Sequence, residues 1–173
     1  MKTKDRQAGV TLMEILVVVA IAAILATIAG PSFGDFVNNT RLNSTMTQLT
    51  SDLNRARVEA IKRNSWVLAC VSNAAGTGCG TGVNWQNGWV VCHDSEPDGA
   101  CDASTAAAPN PIALHQAINT HLTLTGTAAA VQFNPNGTQG TGAVFNLTMC
   151  CRTHSTPVNS IASIAVTGNI SRQ

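Results

Sequence analysis

The period of the apolar residues divides the chain. From Val10 to Phe33 nearly every position is apolar or small, and Glu14 is the one formal charge. Such a run meets the roughly 20 residues that a helix needs to cross a bilayer. Beyond Pro31 the pattern becomes amphipathic: Leu42, Met46, Leu49, Leu53, Ala56 and Ala60 recur at steps of four and three, the spacing of one helical face. Arg41, Asp52, Arg55, Arg57, Glu59, Lys62 and Arg63 fall largely off that stripe. They read as a solvated side, with the last cations favourably placed at a helix C-terminus. One helix is predicted from about Leu12 to Asn64, its second half packing the stripe on a sheet.

After Asn64 the helical period stops. Trp66 to Ser72, Gly88 to His93, Leu122 to Thr125, Ala130 to Phe133, Val144 to Met149 and Ile161 to Thr167 are strand candidates, rich in β-branched and aromatic residues. Gly76 to Gly82, Asp94 to Pro111 and Asn134 to Gly142 read as loops, and Asn136-Gly137 as a tight turn between two strands. No internal repeat is present. The expected architecture is α+β: one long helix on an antiparallel sheet.

Charge sharpens this picture. Lys2, Lys4 and Arg6 precede the apolar run and would hold that end in the cytoplasm. From Trp66 onward the formal cations are Arg152 and Arg172, against Asp94, Glu96, Asp98 and Asp102, so the head is net acidic. An acidic head repels phosphate backbones, which disfavours generic nucleic-acid binding. Cys70, Cys79, Cys92, Cys101, Cys150 and Cys151 all lie beyond the apolar run, which points to an oxidising compartment for the head.

The apolar run admits two bland readings, a secretory signal peptide with Ile28-Ala29 as cleavage site and a simple anchor. Against the anchor stands Glu14, because a carboxylate in hydrocarbon costs on the order of 2.5–3.5 kcal/mol or more and usually has a partner. Ala8-Gly9-Val10-Thr11-Leu12-Met13-Glu14-Ile15-Leu16-Val17-Val18 resembles the prepilin-peptidase signal of type IV pilins and type II secretion pseudopilins. The resemblance implies cleavage between Gly9 and Val10 and N-methylation of Val10, although Phe is the commoner first mature residue. It makes Glu14 the fifth mature residue, able to neutralise the new amine of its own or a neighbouring chain. Pro31 stands where the family often carries a helix-kinking proline, with Gly30 and Gly34 adding softness. The implied organisation is a leader (1–9), a transmembrane and assembly half-helix (10–34), an amphipathic half-helix (35–64) and a β-rich head (65–173).

The head resembles the GspH/FimT branch of minor pilins and pseudopilins. The likeness runs through Cys70-Val71-Ser72, Cys79, Trp85-Gln86-Asn87-Gly88-Trp89-Val90-Val91 and Asp94. It resumes at Phe133-Asn134-Pro135-Asn136-Gly137 and at Leu147 to Cys150. Trp85 and Trp89 are read as core or strand-edge anchors. The resemblance implies the type IV pilin fold, an inner-membrane protein whose head faces the periplasm before entering a filament, with other pilins and prepilin peptidase as partners. It leaves three functions: a minor pilin that primes or caps a type IV pilus, a type II secretion pseudopilin, and a DNA receptor for transformation. DNA-binding relatives carry a basic Gly-Arg-x-Arg segment. Here Gly168-Asn169-Ile170-Ser171-Arg172 lacks the first arginine, so DNA is disfavoured as a partner.

Cys70 and Cys79 lie nine residues apart, as do Cys92 and Cys101, and each pair flanks a loop that follows a strand. Two local disulfides are expected, each worth about 2–4 kcal/mol. Cys150-Cys151 is a candidate vicinal bridge, though six cysteines leave the connectivity open. A zinc reading of Cys150, Cys151 and His154 lacks a second ligand pair. Asp94, Glu96, Asp98 and Asp102 before and around Gly99 resemble a calcium loop, the one cofactor the sequence suggests, but the twelfth-position glutamate is missing and an acidic surface turn is the plainer reading. His93, His115, His121 and His154 are scattered, and no nucleophile–base order or phosphate loop stands out, so catalysis is not expected.

Overall fold

The structure, a computed structural model, describes residues 9–105, 111–140, 142–149 and 159–172, without the side chains of residues 28–35, 38, 147, 149 and 159. Two compact units divide at Thr40 and Arg41. Helix α1, Leu12–Arg63, runs through both. In the second unit Leu42, Met46, Leu49, Leu53, Ala56 and Ala60 are all buried, so the stripe at steps of four and three is the core face. The helix stops at Asn64, whose φ of 50° is left-handed. Asn64 N–H then bonds Ile61 O and Ser65 N–H bonds Ala60 O, closing the terminal carbonyls in the pattern that a left-handed residue permits.

Among the described residues eight strands come after the helix: β1 (Val67–Val71), β2 (Trp89–His93), β3 (Ala113–His115), β4 (Leu122–Gly126), β5 (Ala130–Phe133), β6 (Ala143–Met149), β7 (Asn159–Ile164) and β8 (Ile170–Arg172). All pairings are antiparallel, but the sheet is divided in two, with orders β3-β2-β1-β5 and β4-β6-β7-β8. The short strands β3 and β8 and a 3-10 turn at Trp85–Asn87 lie outside the strands read from the sequence. Three residues are too few to show an alternating pattern. Asn136-Gly137 does form a turn, yet it is closed by a single bridge, Phe133 to Gln139, rather than by a paired strand.

Trp85 joins the two halves. Its ring meets Phe145 of β6 edge-on at 4.7 Å, and its Nε1 donates to Ala128 O at 2.9 Å. A bridge between Asn84 and Thr125 of β4 holds the same junction. Val67, Ala69 and Val71 of β1 and Trp89 and Val91 of β2 join the helix stripe in the main core. The alternate residues Leu68, Cys70, Val90 and Cys92 form a second, smaller cluster with Cys79, Cys101 and Ala130. Strands covered on both faces read as continuous apolar runs, which is why both stand out in the sequence.

One polar residue departs from the expected solvated side. Asp52 is buried, accepting from Trp89 Nε1 at 2.9 Å and from Gln48 Nε2 at 3.2 Å. The apolar stripe is wide enough to include its edge position, and the indole N–H beneath supplies the donor that a buried carboxylate needs.

Candidate functional site

In the first unit, α1 begins with Thr11, whose Oγ1 accepts from Glu14 N–H at 3.2 Å while its carbonyl accepts from Ile15 N–H. Thr11-x-x-Glu14 is thus a helix start with an acidic residue in the first turn, where the helix dipole favours it. The sequence carried this signal, a threonine three residues before a glutamate, but the reading of Glu14 as an assembly residue passed over it. Gly9 and Val10 precede the helix and are exposed, and a side-chain carbon at Gly9 would meet nothing within 4 Å.

From Val10 to Leu25 the large apolar side chains are exposed, among them Leu12, Ile15, Leu16, Val17, Val18, Val19, Ile21 and Ile24. Consecutive residues point in every direction around a helix, so this segment is apolar all round. Among the described residues no helix is long and apolar enough to cross a membrane. Pro31 falls within α1, but its side chain lies outside the described residues, as do residues 1–8 of the basic leader.

In the second unit the outer faces of β1 and β2 are capped by two loops. Cys70 is bonded to Cys79 and Cys92 to Cys101, each pair with Cα atoms 5.5 Å apart. The first loop is held by Gly80 N–H to Val71 O and by Asn73 Oδ1 accepting from Thr77 N–H. The second is held by Asp102 N–H to His93 O. Cys150, Cys151 and His154 lie outside the described residues.

The acidic loop, a candidate calcium loop by the spacing of its carboxylates, folds as a turn held by those carboxylates. Asp94 is fully buried and turns inward, accepting from Asp98 N–H at 3.3 Å, Gly99 N–H at 3.1 Å and Gln132 Nε2. Asp98 Oδ1 accepts from Ala100 N–H, and Asp102 Oδ2 from Ser95 N–H, both at 2.9 Å. Oxygens spent on backbone donors shape a turn instead of converging on a cation, and among the described residues the four carboxylates form no metal-sized group. Burial pushes the Asp94 carboxyl up, opposed by its hydrogen bonds, whereas the Ser95 hydrogen bonds hold Asp102 below the usual range.

Two of the histidines serve packing. His93 is buried, which lowers its pKa, and the His115 ring stacks on Trp89 at 3.9 Å. His121 is exposed.

Among the described residues, Arg172 of the head and several cations of α1 are engaged. Arg172 donates to Ser160 Oγ at 3.2 Å, Thr47 Oγ1 at 3.0 Å and Asn43 Oδ1, tying β8 to α1. Arg57 donates to Gly137 O at 3.0 Å and Thr167 O at 3.4 Å, joining two turns. Lys62 and Arg63 pair with Glu59. Gly168, the first residue of the segment compared with the DNA-binding motif, has a backbone reason: its φ is 76°, and a side-chain carbon would overlap Gly137 O. Sequence spacing held no sign of the Arg57 and Arg172 clamps, because their partners are distant in the chain.

The profile described as Type II transport protein GspH matches residues 45–169, and the Prokaryotic N-terminal methylation motif matches residues 4–30. Two crystal forms of the type IV minor pilin FimU of Pseudomonas aeruginosa (strain PAO1) share the fold. The P21 form has a TM-score of 0.58 at 20% identity, covering 80% of this chain and 92% of that one. The P65 form has a TM-score of 0.53 at 21% identity, covering 76% and 91%. Among curated proteins nothing matches.

Proposed function

This chain belongs to the GspH family of type IV pilin-like proteins, and from that premise we propose that it is a minor pilin, priming or capping a type IV pilus and supporting twitching or adhesion. The observation that carries the reading is the exposed apolar surface all round the start of α1, from Leu12 to Leu25. Such a surface is stable only in lipid or among other helices, and a pilin passes from one to the other. In this account prepilin peptidase cuts between Gly9 and Val10, residues 10–34 hold the chain in the inner membrane, and the head faces the periplasm. Val10 is then N-methylated, Pro31 kinks the helix, and Glu14 neutralises an N-terminal amine as the helix enters the filament. In low dielectric that pairing is strong and either charge alone is costly, so it sets subunit register.

A second reading, a minor pseudopilin of type II secretion, is favoured by the description of the matching family. The disulfide-stapled loops suit a subunit exposed on a filament, which tips the proposal towards the pilus. DNA reception is disfavoured, since Arg172 is spent on α1. Mass spectrometry of sheared surface filaments from the native bacterium tests the machine. Peptides that vanish in a strain lacking the major pilin support the pilus. Reproducible absence from filaments, with the protein present in the inner membrane, overturns it in favour of the pseudopilus.

A further inference from the structure

A cleft of about 430 Å³ lies between the first disulfide-stapled loop and the end of β3. Ala74 and Ala75 line it from the loop, His115, Gln116 and Ala117 from the far side, and Asn87 from the 3-10 turn. Its lining holds no Asp, Glu, Lys or Arg. We propose that this cleft binds the end of an uncharged glycan, with roughly one or two sugar rings inside it.

The walls are fixed before any ligand arrives. Ser72 N–H donates to Gly88 O at 3.0 Å and Ile118 N–H to Gln86 O at 2.9 Å, so both sides are tied to the 3-10 turn and its end. Gly88 has a φ of 104°, and a side-chain carbon there would fall 2.5 Å from His115 O, so glycine permits the close approach of the far wall. Leu114 of β3 packs on Gly76 of the loop. The Cys70–Cys79 bond and the hydrogen bonds between Asn73 and Thr77 hold the loop itself. A preformed cleft spares the ordering cost that would weaken the binding of a small ligand.

The groups on offer select the ligand. The Asn87 and Gln116 side chains are exposed and hold no hydrogen-bond partner among the described residues, so each presents a carbonyl acceptor and an amide donor. His115 Nδ1 lies 2.8 Å from Gln116 O, which can only accept, so Nδ1 carries the proton and Nε2 is the acceptor of the neutral ring. Trp89 covers one face of that ring and fixes its plane. Sugar hydroxyls both donate and accept, which matches two amides and an imidazole, and the alanine methyls suit the C–H faces of a sugar ring. A charged ligand would leave water without finding a counter-charge, and a purely apolar one would leave the amides unbonded. An extended peptide is also neutral and polar, but Ser72 N–H and Gln116 O are already bonded, so the cleft offers it no free strand edge. The site gives the adhesion named above a ligand class, and rests on that reading only for placing the head outside the cell.

The test applies the full, oxidised chain, in a detergent without a sugar headgroup, to an array of neutral, sialylated and sulfated glycans with uncharged peptides beside them. Neutral glycans should be bound, and calorimetry with the free oligosaccharide then measures the affinity. Asn87→Ala combined with Gln116→Ala should lower that affinity about tenfold or more. Tm should stay unchanged, because both side chains are exposed. In the unsubstituted chain a photoreactive derivative of the bound saccharide should label residues 72–76 or 115–117. No neutral glycan bound, a preference for charged glycans or for peptides, an affinity that the double variant keeps, or labelling elsewhere overturns the proposal. Incorporation into filaments is judged separately by the mass spectrometry above, so failure here leaves the pilin reading standing.

Discussion

Removing the Asp52 carboxylate should strand a buried donor. Trp89 is 1% exposed, and its Nε1 donates to Asp52 Oδ2 at 2.9 Å. Stripping one partner from a buried hydrogen bond costs about 1–3 kcal/mol, while replacing both can be nearly neutral. Asp52→Ala is therefore expected to cost about 2 kcal/mol, and at roughly 2–4 °C per kcal/mol for a chain of this size Tm should fall by about 4–8 °C. Trp89→Phe keeps a ring to stack on His115 but removes the N–H, at the added expense of lost core volume. The double variant separates these effects, because the lost volume and the lost Gln48 contact each appear in one single variant and cancel in the cycle. The remaining coupling between positions 52 and 89 should be about 1–2 kcal/mol. Thermal unfolding of the intact, oxidised chain in detergent, followed by circular dichroism, measures all four corners. A coupling below about 0.5 kcal/mol, within ordinary additivity error, would refute the argument that this bond clamps helix to sheet.

Glu14→Ala should leave leader cleavage intact while removing the chain from filaments, and normal incorporation of the variant would sink the charge-pairing account. His93 titrates lower in the fold than its ordinary 6.5 because of burial, so its contribution is present above 6.5 and is lost as pH falls through the lowered value. His93→Gln should therefore flatten the fall in Tm between about pH 7 and pH 5, and an unchanged slope counts against it. Arg172→Ala should cost about 1 kcal/mol by freeing β8 from α1, with no salt-sensitive DNA affinity in either protein at two ionic strengths. Gly168→Ala should cost more than about 2 kcal/mol in thermal unfolding, since it adds left-handed strain to a backbone overlap.

The elements legible in the sequence are those whose signal repeats over short range. The stripe Leu42 to Ala60 identified the buried face of α1, because helical geometry alone brings residues three and four apart together. The apolar runs in β1 and β2 announced strands covered on both sides, and the Gly- and Asn-rich stretches between them announced loops. The apolar start of α1 was visible without any periodicity, because nearly every position there except Glu14 is apolar or small.

What the tertiary structure decided concerns polar residues and junctions. Asp52, Arg57 and Arg172 look equally like solvated charges in the sequence, yet Asp52 meets an indole 37 residues away and Arg172 meets a threonine 125 residues away. A polar side chain is settled by the donor or acceptor that arrives beside it, and nothing local encodes that arrival. The acidic loop had carboxylates at suggestive intervals, but the backbone N–H groups of its own turn claimed them first. The junction of the two sheets rests on Trp85 meeting Phe145, and the gathering of four sulfurs turns on two loops folding over one face of β1 and β2. By itself the sequence determined periodic faces, because their geometry is built into the helix and the strand. Long-range pairing belongs to the tertiary fold, because it depends on which distant segments pack together.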